Sequence, residues 1–248
     1  MALNSISNLP IPIRWEAVGG FRVALWPKLQ QAGVDELCAS VSEASSAHAL
    51  KMGNLGRRQE WLAARVLSRA LTGQEPSAGE LGSPLWDKGW KGSISHKNGH
   101  VAMWCCEQGS TFAGVDLELV RELAAGVTAK VMNAEEILIC DETLPKVGTS
   151  LIFAAKEAIY KALFPIVRRF FYFEAVELMD LSCAGDDCEL VFTVMDALKV
   201  PELTGVKIRV SAKKIMLADA VLVGPKVTHH GDRDYWLVVA YLPVSCHP

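Results

Sequence analysis

The chain has 248 residues, of which 50% are hydrophobic and 21% are charged, the composition of an ordinary globular protein. This length allows one large domain or two small ones. The formal net charge is −3, so the composition gives no sign of the basic surface that nucleic-acid-binding proteins carry, and we expect no nucleic-acid partner.

The sequence also bears on cellular location. The first residues contain no basic segment followed by an apolar run, so we expect no secretory leader. No stretch approaches the roughly 20 apolar residues that a membrane span needs. The seven cysteines include no Cys-x-x-Cys pair, which argues against both a zinc site and a disulfide framework. We therefore expect a cytoplasmic protein with no membrane contact, whose thiols are reduced and mostly buried.

The first part of the chain combines strand and helix patterns. Residues 14–25 predict strand structure with an internal turn, and Arg57 to Leu71 carry the apolar stripe of a helix, with Gly73 as its C-terminal signal. Asn98-Gly99 separates two alternating runs, which is the strongest short-range hairpin signal. His96 is then expected at the end of a strand, beside the turn.

The next predicted strand runs from Thr111 to Leu119. Successive side chains of a strand point to opposite faces, so Asp116 and Glu118 are expected on its polar face and Val115 and Leu117 on the other. The two carboxylates are therefore neighbours on one side of the strand.

Two helices are predicted to follow. Asn133 predicts the N-cap of the first helix. Thr149 or Ser150 predicts the N-cap of the second helix, which we expect to end at Leu163 because Pro165 cannot continue it. The core stripe predicted for this second helix consists of Ile152, Ala155, Ile159 and Ala162.

After Pro165 the pattern becomes mainly β, with the first strand expected from Phe171 to Leu181. The fold class predicted is therefore α+β. The chain reads as strand, helix and strands, and then again as strand, helices and strands. We place the seam between the two parts near residues 107–110. The predicted domains are an N-terminal half-domain, residues 1–109, and a C-terminal half-domain, residues 110–248.

Two pairs of charged residues stand out in the second part. Asp116 and Glu118 are spaced i and i+2 on a predicted strand, and Glu157 and Lys161 are spaced i and i+4 on a predicted helix, so each pair shares one face of its element. The helix pair lies opposite the apolar stripe, so core packing does not account for it. Three acids and a lysine that converge on one point suit a hard cation and a polyphosphate ligand.

These residues belong to two motifs, Gly-x-Asp-x-Glu at Gly114–Glu118 and Lys-Glu-Ala-x-x-Lys at Lys156–Lys161. In this order the motifs resemble the paired signature of the 4′-phosphopantetheinyl transferase superfamily. Two earlier stretches are also similar to that family. Gly56–Arg65 resembles its basic helix start, and Pro84–Trp86 followed by Ser93–His96 resembles its loop and Ser-x-Ser-His element. The resemblance is to the long, surfactin- and enterobactin-type branch.

The resemblance implies an enzyme that moves 4′-phosphopantetheine from coenzyme A to a serine of an apo acyl or peptidyl carrier protein and releases 3′,5′-ADP. In this interpretation Asp116, Glu118 and Glu157 hold Mg²⁺, and Lys161 meets the pyrophosphate of coenzyme A. Glu157 is also a candidate to accept the serine proton, so its role as base, as metal ligand or as both stays open.

The resemblance also implies where the coenzyme binds. Ser95 and His96 are expected to contact coenzyme A near its phosphates. Arg57 or Arg58 is expected to bind the 3′-phosphate, because helix N-termini and guanidinium groups both favour dianions. A further hypothesis makes Arg168-Arg169, beside Phe170-Phe171, a docking patch for an acidic carrier helix.

For the fold, the resemblance implies a pseudo-twofold pair of similar α/β half-domains with the active site in the cleft between them. One chain then supplies what a symmetric dimer would supply, so we expect a monomer. The carrier protein stays open among those of fatty-acid, polyketide, non-ribosomal-peptide and polyunsaturated-lipid synthases. Tolerance for acyl-coenzyme A and the preference for Mg²⁺ or Mn²⁺ stay open as well.

Each motif also has an ordinary structural interpretation. Asp116 and Glu118 alone fit a solvated strand face, and Glu157 and Lys161 alone fit a surface helix pair. Two other functions are compatible with the same residues. One is a Mg²⁺-dependent phosphohydrolase acting on a nucleotide, which turns over without a carrier protein. The other is a catalytically silent module that binds coenzyme A or a carrier and forms no product.

Overall fold

The fold was obtained as a computed structural model, which describes residues 13–28, 32–79, 82–87, 89–107, 111–223 and 226–242. It is α+β, as predicted. The helices are α1 (Ala32–Ser40), α2 (Glu43–Leu50), α3 (Leu55–Thr72), α4 (Ala125–Val131), α5 (Ala134–Thr143) and α6 (Gly148–Val167). The strands are β1 (Arg14–Val18), β2 (Phe21–Trp26), β3 (Ser77–Ala78), β4 (Pro84–Leu85), β5 (Trp90–Lys97), β6 (His100–Glu107), β7 (Ala113–Leu119), β8 (Val176–Ala184), β9 (Asp187–Val194), β10 (Lys207–Val223) and β11 (Lys226–Tyr241).

The chain divides into two compact units. The first consists of Met1–Glu16, Arg22–Gly109 and Met216–Arg233, and the second of Ala17–Phe21, Ser110–Ile215 and Asp234–Pro248. Strands β10 and β11 therefore contribute residues to both units. The domain boundary predicted between residues 109 and 110 falls outside the described residues and stays a prediction.

The first unit is organised by a sheet in the order β1-β2-β6-β5, against which α3 packs its apolar stripe. The predicted hairpin is confirmed: β5 and β6 are antiparallel, and Asn98 and Gly99 between them have φ of 53° and 88°. Both values suit the tight turn that Asn-Gly predicts. Helix α3 begins slightly earlier than predicted, because Asn54 caps it by accepting from the backbone N–H of Arg57, and it ends at a left-handed Gly73.

The second unit contains a sheet in the order β7-β11-β10-β9-β8, with α6 packed on it. Strands β7 and β11 are antiparallel partners, so the C-terminal part of the chain lies beside the strand that carries the Asp-x-Glu motif. The Asn133 cap of α5 is confirmed and extends to a full capping box with Glu136. The predicted core stripe of α6 is fully buried.

Both predicted ends of α6 are wrong. The helix begins at Gly148, and its N-cap, Val147, makes no side-chain cap. Thr149 and Ser150 lie inside the first turn, where their hydroxyls serve neighbouring backbone groups instead. At the other end Pro165 lies within the helix, which continues to Val167. A proline removes only one backbone donor, and so near a C-terminus it interrupts few hydrogen bonds.

Two further expectations are corrected. The strand expected to begin at Phe171 begins at Val176, after a short 3₁₀ turn over Phe173–Ala175. The cysteines are not all reduced, because Cys183 and Cys188 form a disulfide. They are register partners on β8 and β9, and the turn between those strands brings their Cα atoms within 4.1 Å. Among the free thiols in the described chain, only that of Cys140 is buried.

None of the described helices is both long and apolar enough to cross a membrane.

Candidate active site

Glycine at position 114 brings α6 directly against β7. A Cβ atom there would collide with the carbonyl oxygen of Ala158 and the backbone nitrogen of Ala162, so only glycine allows this approach. Asp116 and Glu118 follow at i+2 and i+4 and therefore share the face of β7 that meets α6. The first motif thus supplies both the close packing and the carboxylates.

Lys161 crosses from α6 to this face of β7. Its Nζ lies 2.6 Å from Oδ1 of Asp116 and donates to the carbonyl oxygen of Val115 at 3.1 Å. The pair is mostly shielded from water, since the side chain of Lys161 is 25% exposed and that of Asp116 is 8% exposed. The two motifs therefore meet in space through a charged contact, as their order in the sequence suggested.

Glu157 lies one helical turn before Lys161 and is half-buried. Burial raises the pKa of its carboxyl, the ammonium of Lys161 lowers it, and the carboxylates of Asp116 and Glu118 raise it again. The net effect is a pKa above that of an ordinary glutamate. The charges of Asp116, Glu118 and Lys161 are therefore all close enough to affect Glu157.

The strand face that carries the acids is not a solvated one, so that alternative is wrong. Asp116 is 6% exposed and Glu118 is 4% exposed, and Val115 and Leu117 on the opposite face are buried as well. Glu118 accepts the backbone N–H of Leu119 at 2.9 Å. Buried carboxylates are expensive unless charge or hydrogen bonds compensate them, and here Lys161 compensates Asp116 while Arg121 and the Leu119 N–H compensate Glu118.

The donor chemistry of this face suits Mg²⁺. Among the described residues no three His, Cys, Asp or Glu side chains already form a metal site, and Asp116 is paired with Lys161 instead. Yet the three carboxylates of Asp116, Glu118 and Glu157 outnumber the two cations, Lys161 and Arg121, whose Nη2 lies 3.8 Å from Oε1 of Glu118. These carboxylates offer the hard oxygen ligands that Mg²⁺ prefers. The residues present therefore fit a divalent cation that neutralises the excess negative charge.

Lys156, next to Glu157, has a different task from that of Lys161. It is 3% exposed, and its Nζ lies 2.7 Å from Oε1 of Glu136 and donates to the carbonyl of Val131 at 2.8 Å. Its contacts thus tie α6 to α4 and α5. No sequence pattern predicts this pair, because the two residues are joined by the fold and not by helical spacing.

A second polar cluster lies in the first unit. Arg57 at the start of α3 places Nη1 2.9 Å from Nε2 of His96, and His96 Nδ1 lies 3.0 Å from Oε2 of Glu60. Oε1 of Glu60 accepts the backbone N–H of Gly99, in the β5–β6 turn, at 2.9 Å. Glu60 therefore fixes both the histidine and the turn. It was not among the predicted site residues, although its i+3 spacing from Arg57 on a helix is a usable signal.

Burial of Glu60 would raise its pKa, but the hydrogen bond and charge of His96, the N–H of Gly99 and the charge of Arg57 lower it below the ordinary value. Glu60 is therefore held ionised in a site that is only 7% exposed. The Arg57 side chain, in contrast, is 61% exposed. The cluster therefore combines the solvent-exposed guanidinium of Arg57 with the buried carboxylate of Glu60.

The structure does not bring every predicted coenzyme contact into this cluster. Arg58 turns away from His96 and donates to the carbonyl of Met52 at 3.0 Å. Ser95 precedes His96 on β5, so their side chains point to opposite faces of the sheet, and Ser95 is buried. Of the predicted first-unit contacts, Arg57 and His96 are brought together.

Arg65, two turns beyond Arg57 on α3, is a further unusual cation. It is 5% exposed, its Cζ lies 3.2 Å from the ring centroid of Trp61, and burial lowers its pKa to about 10. Its Nε makes no hydrogen bond to any described residue. The sequence showed Arg65 as one of several clustered basic residues but not that its charge is buried.

Comparisons with known proteins give matches to one superfamily. A family model described as the 4′-phosphopantetheinyl transferase superfamily matches residues 113–192. The chain is 33% identical over 132 residues to the 4′-phosphopantetheinyl transferase Npt of Nocardia iowensis, covering 49% of this chain and 59% of that protein. It is 27% identical over 180 residues to the 4′-phosphopantetheinyl transferase PptT of Mycobacterium tuberculosis, covering 67% of this chain and 79% of that protein.

The region of residues 113–192 belongs to the 4′-phosphopantetheinyl transferase superfamily. The region that matches the superfamily contains Asp116, Glu118, Glu157 and Lys161, which are the four charged residues described above for the second unit. The branch within the superfamily stays a prediction. The match to the Nocardia protein covers less than two thirds of its length, so activity, substrates and partners are proposals for this chain.

Proposed function

We propose that this chain transfers 4′-phosphopantetheine from coenzyme A to a serine of an apo acyl or peptidyl carrier protein, in the presence of Mg²⁺, and releases 3′,5′-ADP. The observation that carries the proposal is the contact of Lys161 with Asp116 beside Glu157, whose pKa both strand acids raise. Phosphoryl transfer asks a protein mainly for positioning and charge neutralisation, and this constellation offers both.

Glu157 is the proposed acceptor of the serine proton. Its raised pKa supports this role, because a carboxylate that binds a proton more readily is a better base near neutral pH. Asp116 and Glu118 are buried on strand β7, whereas Glu157 on α6 is only half-buried and is the most accessible of the three carboxylates. Glu157 serves as base, as metal ligand or as both.

Lys161 is proposed to neutralise the pyrophosphate of coenzyme A. The ammonium is partly shielded from water and is held by Asp116 and by the carbonyl of Val115, so little reorganisation is needed when an anion arrives. Asp116, Glu118 and Glu157 would hold Mg²⁺. When bound, the metal ion supplies further positive charge to the transferred phosphoryl group.

Arg57 and His96 are proposed to bind the phosphates of coenzyme A that lie away from the reacting bond. The exposed guanidinium of Arg57 has free donor capacity toward solvent, and Glu60 holds His96 in place. Arg58 is the weaker candidate for the 3′-phosphate, because its guanidinium already serves the carbonyl of Met52. Ser95 is still proposed to contact coenzyme A, although its side chain points to the face of β5 opposite to that of His96.

The remaining family expectations belong to the same proposal. They are a pseudo-twofold relation of two similar half-domains, an active site in the cleft between them, a monomeric and cytoplasmic protein, and a carrier domain as the partner. The relatives named as 4′-phosphopantetheinyl transferases support the carrier and the coenzyme. No observation favours the phosphohydrolase or the silent module.

The test is the intact mass of an apo carrier protein incubated with this protein, coenzyme A and Mg²⁺. We expect the carrier to gain one phosphopantetheine group with wild type and with Glu135→Gln, an exposed glutamate on α5, but not with Glu157→Gln. Release of phosphate or nucleotide from coenzyme A without a carrier would favour the hydrolase. Binding of coenzyme A with no product from a panel of acyl and peptidyl carriers would favour the silent module.

A further inference from the structure

A cluster of aromatic side chains, here called the aromatic patch, lies on the last turns of α6 and the segment after it. Its members are Tyr160, Phe164, Phe170, Phe171 and Tyr172. The ring of Tyr160 lies 4.7 Å from that of Phe171 and 5.9 Å from that of Phe170, and Phe170 meets Tyr172 edge to face at 4.9 Å. Phe170 is 58% exposed and Tyr172 is 68% exposed.

The exposed rings are held by a rigid turn. Arg168 ends α6 in the left-handed conformation, with φ of 52°, and its Nε donates to the carbonyl of Pro165 at 3.3 Å. Arg169 donates through Nη2 to the carbonyls of Leu198 and Lys199 at 2.6 and 2.8 Å. These contacts tie the segment to a neighbouring turn. The aromatic rings are therefore displayed on a preorganised surface, which lowers the cost of binding a partner.

Two adjacent aromatic rings that are more than half exposed need an explanation. Burying each ring would stabilise a protein considerably, yet the fold leaves both in water. Aromatic residues are enriched at protein–protein interfaces, and exposed apolar patches with a polar rim mark such sites. The patch therefore has the character of a docking surface.

The charges around the patch indicate the kind of partner. The turns that frame it carry three cations, Arg168, Arg169 and Lys199, against two acids, Glu174 and Asp196. The side chain of Arg168 is exposed, and Arg169 donates to backbone carbonyls, so no acid among the described residues pairs with either charge. An excess of positive charge around exposed aromatic rings favours a partner with an acidic, partly apolar face.

The patch also adjoins the candidate active site within the second unit. Tyr160 follows Glu157 by three residues on α6 and directly precedes Lys161, so it shares a helical turn with both. Burial and the charge of Glu157 raise the pKa of Tyr160, which shows that the two groups sense one another. A partner seated on the patch would lie next to the proposed catalytic carboxylate.

We propose that the aromatic patch and Arg168 form the docking surface for the acidic face of the apo carrier protein. This inference rests on the proposed function and adds the place where the carrier binds. Phe170 and Tyr172 supply apolar anchors, and Arg168 supplies charge that steers the carrier toward Glu157. The tightly held turn keeps both in a fixed geometry.

The test compares steady-state kinetics with a recombinant apo acyl carrier protein and an apo peptidyl carrier domain. The variants are Phe170→Ala/Tyr172→Ala and Arg168→Glu. The matched controls are Leu50→Ala and Lys51→Glu, neighbouring exposed residues on and after α2 of the first unit. We expect each patch variant to raise the carrier KM roughly tenfold, the size expected for an interfacial anchor, with the coenzyme A KM unchanged.

Salt gives a second readout that a structural defect would not move. Raising the ionic strength is expected to raise the carrier KM of the wild type more than that of Arg168→Gln, because screening weakens only charge that is still present. Because the substituted rings are largely exposed, thermal unfolding of the variants is expected to match the wild type.

The outcomes separate the two proposals. A wild type that modifies no carrier overturns the proposed function, and the docking surface with it. A wild type that modifies a carrier while the patch variants keep the wild-type carrier KM overturns the docking surface alone. A rise in the coenzyme A KM with an unchanged carrier KM also overturns it, because the patch would then serve the coenzyme.

Discussion

Lys156, in the middle of the candidate active-site helix α6, forms an ion pair with Glu136, with Nζ and Oε1 2.7 Å apart and side chains 3% and 1% exposed. The pair is fully hydrogen-bonded. Glu136 also accepts the backbone N–H groups of Asn133 and Leu178, and Lys156 also donates to the carbonyl of Val131. One ion pair therefore joins α4, α5, α6 and β8, and it directly precedes Glu157.

Breaking this pair is expected to destabilise the protein strongly. Lys156→Met leaves the Glu136 carboxylate buried without its counter-charge, which costs about 3–5 kcal/mol of unfolding free energy. The double variant Lys156→Met/Glu136→Gln is expected to recover part of that loss, because the uncompensated charge is gone. Urea unfolding measures both, with exposed Lys130→Met as the control. Equal stability of Lys156→Met and wild type would refute the assignment.

Gly114 and Gly126 form a matched pair of tests for the packing of α6 on β7. A Cβ at Gly114 meets backbone atoms of Ala158 and Ala162, whereas a Cβ at Gly126, in α4, meets nothing within 4 Å. Gly114→Ala is expected to lower the unfolding free energy by about 1–3 kcal/mol, since backbone cannot move aside cheaply. Gly126→Ala is expected to raise it by about 0.5–1 kcal/mol through helix propensity. A neutral Gly114→Ala in thermal unfolding would contradict the close approach.

Much of the local structure and the second-unit site could be predicted because the signals lie close together in sequence. Asn98-Gly99 predicts its hairpin, Asn133 its cap, and the i, i+2 spacing of Asp116 and Glu118 their shared face. The meeting of Asp116 with Lys161 followed from two motifs in family order. In each case a short spacing or a known pairing carried the information.

What the sequence missed depends on contacts between distant segments. The partners of Lys156 and the burial of Asp116 are decided by how α6, α5 and β11 pack, and no periodicity records them. The disulfide between Cys183 and Cys188 depends on the register of β8 and β9. The sequence pattern around Glu60 is that of an ordinary helix residue, and its role depends on the β5–β6 turn that lies against it.

Lys161 offers the sharpest test of the charge-neutralising step. Lys161→Met removes the cation that contacts Asp116, and we expect kcat/KM for coenzyme A to fall by about 10²- to 10³-fold, the usual loss for one preorganised charge-stabilising group. Lys161→Arg is expected to keep part of the activity, because it restores the charge with different geometry. The exposed Lys207→Met serves as the control. Wild-type kcat/KM in Lys161→Met would remove Lys161 from the mechanism.

Glu60 gives the first unit a stability that depends on pH. The folded protein holds the pKa of Glu60 below its ordinary value of 4.5, so the unfolded chain binds its proton more readily. The stabilisation is therefore fully present above the unfolded pKa and is lost as the pH falls through the folded pKa. We expect Glu60→Gln to lower the unfolding free energy by about 1–3 kcal/mol at pH 7, because charge-assisted hydrogen bonds to His96 and Gly99 are lost. Below about pH 4.5 the deficit is expected to shrink, since wild type then loses the same charge. Urea unfolding at several pH values measures this deficit, with exposed Glu36→Gln as the control. A deficit that stays constant from pH 7 down to acidic pH would show that the carboxylate charge of Glu60 contributes nothing.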